Sequence, residues 1–117
     1  PYYIQINHRN SIETWSKTTQ VFTGNDLYYD FYPAAVKAYG NNQKQVDASP
    51  IRFADYSGDV NQDGFINLTD IINIYNDAGI FVTGYKVTDV NGDSISDLTD
   101  VIIANNNSNN FVSRITP

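Results

Sequence analysis

The sequence predicts an α+β chain, a partial antiparallel β-sandwich followed by a pair of loop-helix repeats, and three observations carry that reading. Residues 2–9 set Ile4, Ile6 and His8 against Tyr3, Gln5, Asn7 and Arg9, the period-two alternation of a half-buried strand. From Asp59 onward the chain repeats itself at an offset of 30, with identities at Asp59/Asp89, Val60/Val90, Asn61/Asn91, Asp63/Asp93, Leu68/Leu98, Thr69/Thr99, Asp70/Asp100, Ile72/Ile102 and Phe81/Phe111. After each acidic stretch, Leu68, Ile71, Ile72 and Tyr75, and likewise Leu98, Val101 and Ile102, recur at the i, i+3, i+4 spacing that buries one face of a helix.

Taken in order, the strand at residues 2–9 is followed by a turn at Asn10-Ser11 and a second short strand, Ile12 to Ser16, around Trp15. Val21-Phe22 reads as a third fragment. A turn at Thr23-Gly24-Asn25-Asp26 precedes a fourth extended run, Leu27 to Tyr32. Pro33 suits the first position of a short helix through Ala38 that stops at Tyr39-Gly40. Residues 41–50 are polar and read as a loop, and Ile51 to Tyr56 as another extended stretch. The domain expectation is therefore a β-sandwich of immunoglobulin-like type over 1–57 and a repeated module over 58–117, with the boundary near Gly58.

So few strands make a thin sandwich with exposed edges, and the strand beginning at Tyr2 needs neighbours from elsewhere in a longer precursor or from another molecule. In the second half, Asn67 and Asp97 are good N-cap residues, with Asp70 and Asp100 three positions later, so the same side chains start the helices and close the loops. The pairs Phe81-Val82 and Phe111-Val112 are expected to close the core behind each loop.

The chain of 117 residues carries 7 Lys and Arg against 13 Asp and Glu, a net charge of −6. Its few cations never cluster, which argues against a nucleic-acid surface. Nothing reads as a membrane span. Cysteine is absent, so the redox compartment is not directly readable, and a secreted protein held by metal rather than disulfides is as consistent as a cytosolic one.

The two loops, Asp59 to Asp70 and Asp89 to Asp100, each place oxygen-bearing side chains at positions 1, 3, 5, 9 and 12, with a backbone carbonyl at position 7. That spacing wraps a hard divalent cation, and the number of ligands favours calcium over magnesium, giving two Ca²⁺ sites. Calcium at the millimolar levels found outside cells makes the expected location extracellular.

A loop and one following helix, present twice, with Asp at position 12 and a Gly-Asp-Val-Asn-x-Asp-Gly opening at Gly58, resembles the dockerin family over Gly58 to about Asn107. The resemblance implies an extracellular F-hand module that binds two calcium ions and docks without catalysis onto a protein partner, a cohesin domain in the best-known case. By matching position, it implies one site of Asp59, Asn61, Asp63, the Phe65 carbonyl, Asn67 and Asp70. The other would be Asp89, Asn91, Asp93, the Ile95 carbonyl, Asp97 and Asp100. Two departures stand out. Ser94 holds position 6 of the second loop, where Gly is expected and a left-handed non-Gly residue costs roughly 1 kcal/mol. Positions 10 and 11, small hydroxyl residues in many cohesin binders, are Leu68-Thr69 and Leu98-Thr99, and these leucines are expected in the core. The first half, Tyr2 to Ser16 with Ala38-Tyr39-Gly40, resembles the tails that precede such repeats in large secreted bacterial proteins.

No catalytic constellation emerges. His8 lacks a Cys, Ser or second His at recognisable spacing and reads as a structural strand residue. Asp55 with Asp59 has the residue types of a glycosidase pair, yet the loop acids are committed to metal. Asn106-Asn107-Ser108 matches a glycan acceptor; Asn67-Leu68-Thr69 also matches, but on an expected ligand, and Asp93-Ser94-Ile95 resembles an O-glycosylation signal. The functional expectation is a non-enzymatic, calcium-stabilised assembly module acting through protein contacts. A homo-oligomer or fibre built by strand complementation is expected first. The alternatives are a dockerin tethering an enzyme to a cohesin scaffold, and a carbohydrate-binding module using Tyr2, Tyr3, Trp15, Tyr28, Tyr29 and Tyr32.

Overall fold

A computed structural model describes all 117 residues as a mixed α+β chain with two helices and two small antiparallel sheets. The residues divide into two compact units. One comprises Pro1–Asn7, Glu13–Asp55 and Arg114–Pro117; the other comprises His8–Ile12 and Tyr56–Ser113. No single cut in the sequence separates them, because a five-residue piece of the N-terminal region packs with the repeats.

In the first unit, strand β1 (Gln5–Ile6) pairs with β2 (Thr14–Trp15), with Gln5 opposite Trp15 and Ile6 opposite Thr14. Bridges at Tyr2–Gln20 and Ser16–Ala38 extend the pairing locally. The alternation holds as far as Asn7, since Ile4 and Ile6 are half-buried while Tyr3, Gln5 and Asn7 are exposed, and it is corrected beyond, where His8 is exposed and outside any strand and Arg9 is half-buried in a turn. The four residues Thr23 to Asp26 form the expected turn, closed by reciprocal amide–carbonyl bonds of 2.8 and 3.1 Å.

Three expectations for this unit are corrected. Residues 41–50 are not simply a loop: Lys44–Ala48 forms strand β3 and pairs antiparallel with β4 (Ile51–Ala54), with an irregularity in register between Gln45 and Asp47. Every residue of β3 is exposed, so it has no buried face to leave an apolar alternation in the sequence. The run from Leu27 to Tyr32 forms no strand. The helix expected after Pro33 reduces to two 3-10 turns, Ala35–Lys37 and Tyr39–Asn41, interrupted by Gly40 at φ 65. A Cβ at Gly40 would meet the Ile115 side chain at 2.7 Å, so only glycine fits there.

The first unit has little apolar core. Of its apolar side chains only Ala38 is buried, while Tyr2, Tyr3, Val21, Phe22, Tyr28, Tyr32, Val36, Val46 and Ile51 are exposed. Edge-to-face contacts, Tyr2 with Phe22 and Tyr3 with both Trp15 and Tyr39, hold part of this surface together.

The second unit is built around helices α1 (Leu68–Ala78) and α2 (Leu98–Asn109). Its main core joins residues related by the repeat, Val60 with Val90 and Ile74 with Ala104, flanked by Ile71, Val101 and Ile103. A second cluster joins Ile12, Ile66 and Val112, with Tyr56 against it.

The buried helix face is not the one expected. Leu68 and Leu98 are each 67% exposed, and Ile72, Tyr75 and Ile102 are exposed as well. Each helix instead turns inward about one residue further round, through Ile71 and Ile74 in α1 and Val101 and Ala104 in α2, toward the loop valines at position 2. The expected core closure is corrected too. Val82 is half-buried and Val112 buried, but Phe81 and Phe111 stand outside at 66% and 89% exposure.

Both phenylalanines adopt the left-handed conformation just beyond their helices, at φ 49 and 54. The following amides, of Val82 and Val112, reach back to Asp77 and Asn107 at 3.1 Å each. This left-handed closure is a position where glycine is favoured, so it is a costly place to keep an exposed aromatic.

Candidate metal centre

Each loop folds by hydrogen-bonding its own acids to its own backbone. In the first, Asp59 accepts from the amides of Asp63 (3.2 Å) and Gly64 (3.0 Å), and Asp63 accepts from Phe65 (3.0 Å). Asp70 accepts on Oδ1 from Val60 at 3.0 Å and from Asn61 at 3.3 Å, and on Oδ2 from Asn67 at 3.0 Å. The second loop repeats this: Asp89 accepts from Asp93 and Ser94, Asp93 from Ile95, and Asp100 from Val90, Asn91 and Asp97. Asn67 and Asp97 each cap their helix, accepting from Thr69 and Thr99 at 3.1 and 2.9 Å. Both helices therefore begin with a reciprocal capping box.

The result is two acidic groups that could each hold a metal ion. Within each trio, Asp59, Asp63 and Asp70 or Asp89, Asp93 and Asp100, one carboxylate oxygen per residue lies within 4.8 Å of the others. The first and last acids of each trio are buried and the middle one is exposed. Three carboxylates at this separation repel one another, and burial removes the water that would screen them. Accordingly burial pushes Asp59 up to about 6, with Asp70 and Asp63 adding to the effect. Burial likewise raises Asp70 and Asp100 above the ordinary carboxylate range. A bound divalent cation would relieve this cost, and the all-oxygen donor set suits a hard ion.

The remaining sequence-predicted positions fall around these trios. Asn61 and Asn91 each direct an amide toward the middle acid, 3.4 Å to Asp63 and to Asp93. Asp97 stands outside the second trio, with its Oδ1 engaged by Thr99. The position-7 residues, whose carbonyls complete the expected ligand sets, are tied across the repeat: Phe65 bridges to Ser113, after α2, and Ile95 bridges to Thr83, after α1.

Each loop needs two residues in the left-handed region, at positions 4 and 6, and each supplies one glycine for the pair. In the first these are Gln62 at φ 57 and Gly64 at φ 88; in the second they are Gly92 at φ 80 and Ser94 at φ 73. The glycine has moved from position 6 to position 4 between repeats. Gln62 gains something in return, since its Nε2 donates to the carbonyls of Asp59 at 2.7 Å and Ser11 at 3.0 Å.

Sequence reasoning missed the part played by His8–Ile12. Asn10, only 1% exposed, donates from Nδ2 to the carbonyls of Val87 at 3.0 Å and Asp89 at 2.9 Å. Its own carbonyl accepts the amide of Gly58 at 2.8 Å. The nearby Arg9 guanidinium lies 4.0 Å from the Tyr85 ring centre and donates to the Lys86 carbonyl at 2.6 Å. The only signal was that Asn10-Ser11 interrupts the alternation, which reads equally well as a turn.

Beside the second repeat lies an apolar groove of about 240 Å³ lined by Tyr75, Ala78, Gly79, Phe81, Leu98 and Val101. Trp15, the residue expected to stack a sugar in the carbohydrate reading, donates to the Glu13 carboxylate and packs edge-on against Tyr3. No helix is long and apolar enough to cross a membrane. Comparison with protein-family models, with curated proteins and with solved structures finds no match to this chain.

Proposed function

We propose that this chain is a non-catalytic, extracellular assembly module whose loop-helix half is a dockerin-like pair of calcium sites and whose first half is a partial β-sandwich completed by a protein partner. One observation carries the reading of assembly. The first unit buries a single apolar side chain, Ala38, and leaves ten large apolar ones exposed, among them Tyr2, Phe22, Val46 and Ile51. Exposed apolar surface on that scale marks a contact surface rather than a finished core. The short strands β1 to β4 leave backbone edges on which an added strand can form main-chain hydrogen bonds.

Calcium serves this function structurally. Each acid trio, buried at its first and last members, is mutually repelling and joined to the start of α1 or α2, so ion binding is coupled to the stability of the second unit. The fitting partner is a further copy of the chain, arranged head-to-tail, because such contacts do not close and therefore propagate into a fibre. Electron microscopy and sedimentation of the purified chain in millimolar calcium test this. Filaments or large oligomers are expected, whereas monodisperse monomers at every concentration would contradict self-assembly.

A second reading, docking onto a cohesin-like domain, is favoured by the apolar residues that the helices leave outside: Leu68, Ile72 and Tyr75 on α1, Leu98 and Ile102 on α2. Capture of a cohesin by the monomer, lost in Leu68→Asp with Leu98→Asp, would decide for it over fibre formation.

A further inference from the structure

We infer that His8–Ile12 is a third component of the two-ion centre, a strap that positions both metal loops from behind, with Asn10 as the positioning residue for the second loop and Gln62 as its counterpart for the first. The inference rests on reading the loops as calcium sites. It concerns residues that supply no ligand.

The strap bonds directly to the first residue of the second loop, and in the first loop to the residue before position 1 and to Gln62 at position 4. For the second loop, both amide hydrogens of Asn10 are used, on the carbonyls of Val87 and of Asp89, which is position 1. Two carbonyl acceptors fix which way round the amide sits, because an oxygen turned toward them would be repelled. Asp89 is buried, at 3% exposure, so its carbonyl has little water with which to replace the bond. For the first loop, the Asn10 carbonyl holds the amide of Gly58, the residue before position 1. The Ser11 carbonyl accepts from Gln62 Nε2, which also binds the Asp59 carbonyl at 2.7 Å. Two consecutive strap residues thus meet position 1 of the second loop directly and position 1 of the first through Gln62.

Ile12 anchors the strap. It is fully buried with Ile66 and Val112, and its amide donates to the Tyr56 carbonyl at 2.8 Å. The cluster includes a position at which the repeats differ. At the position equivalent to Ile66 the second repeat has Ser96, which bonds Thr88 at 2.8 Å, and Thr88 in turn donates to Asp77 at 2.6 Å. Ser96 is thus met by a polar network drawn from the first repeat, Ile66 by an isoleucine brought in from the strap.

Groups that orient metal-binding residues without touching the ion typically change its affinity by tenfold or more when removed. The test is calcium calorimetry on the full chain, comparing wild type, Asn10→Ala and Gln62→Ala, each also in Asp63→Asn and Asp93→Asn backgrounds that leave one loop working. Asn10→Ala is expected to weaken the second-loop site about tenfold and the first much less. Gln62→Ala, at an exposed residue that the fold tolerates, is expected to do the reverse. Equal losses at both sites would mean a general loss of fold and would overturn the inference, as would unchanged affinities. A wild type that binds no calcium would instead overturn the metal reading, and this inference with it.

Discussion

Asp70 accepts the amide of Val60 at 3.0 Å on the same carboxylate whose other oxygen closes the start of helix α1. Asp100 and Val90 repeat the relationship at 2.8 Å. Position 2 of each loop is thereby pinned to position 12, and the valine side chain is aimed into the core where Ile74 and Ala104 meet it. Loop closure, helix start and core entry share one side chain.

That sharing makes Asp70 structural even without an ion. Asp70→Ala removes three accepted hydrogen bonds, one of them the reciprocal half of the capping box, while also relieving repulsion with Asp59, so a net loss of about 1–2 kcal/mol is expected in metal-free protein. Denaturant unfolding after chelation measures it. A gain in stability would show that repulsion among the acids outweighs their hydrogen bonds.

The same repulsion sets the response to pH. Asp59 moves from the ordinary 3.8 to about 6 in the folded chain, chiefly through burial, and Asp70 and Asp100 shift the same way. A raised carboxylate costs stability above its folded value and ceases to do so below its unfolded one. The metal-free protein therefore gains stability as pH falls from 7 through 6 toward 4. Calcium reverses the trend, since protons then compete with the ion. Melting temperatures at pH 5 and 7.5, with and without calcium, should cross; parallel trends would contradict the burial of these acids.

Ser94 occupies the left-handed region at φ 73, and the equivalent position in the first loop is Gly64. Ser94→Gly should stabilise the calcium-loaded chain by up to about 1 kcal/mol, less what glycine costs in the unfolded chain. A decrease in the denaturation midpoint would show that the serine side chain holds the loop.

Gly58 is the opposite case. Its φ is 125, and a Cβ would lie 3.2 Å from Ala104 Cα and Cβ and from Ile66 Cγ2. Gly58→Ala therefore strains the backbone and presses on α2 next to the first loop, at an expected cost of about 2 kcal/mol or more. A melting temperature within a degree of wild type would contradict the close packing at this entry.

The loops and helix starts could be read from the sequence because their chemistry is local. An acid at position 12 is also three residues past the cap, and the repeat states the pattern twice. The buried helix face could be read only in part, Ile71 being expected there, because Leu68, Ile71, Ile72, Ile74 and Tyr75 spread apolar groups over nearly half of α1, a wider arc than the core covers. The choice of Ile71 and Ile74 is made by Val60, Val90 and the facing helix. Strand β3 was hidden because a ribbon exposed on both faces leaves no alternation to find. The strap was hidden by distance, Asn10 meeting carbonyls 77 and 79 positions away through a single amide.

Calcium titration by calorimetry, with melting followed in parallel, tests the central claim most directly. Wild type should bind two equivalents and melt much higher when loaded. Asp63→Ala and Asp93→Ala should each bind one, because each removes the exposed acid from a single trio. A wild type that binds no calcium, or variants that both retain two equivalents, would contradict the account.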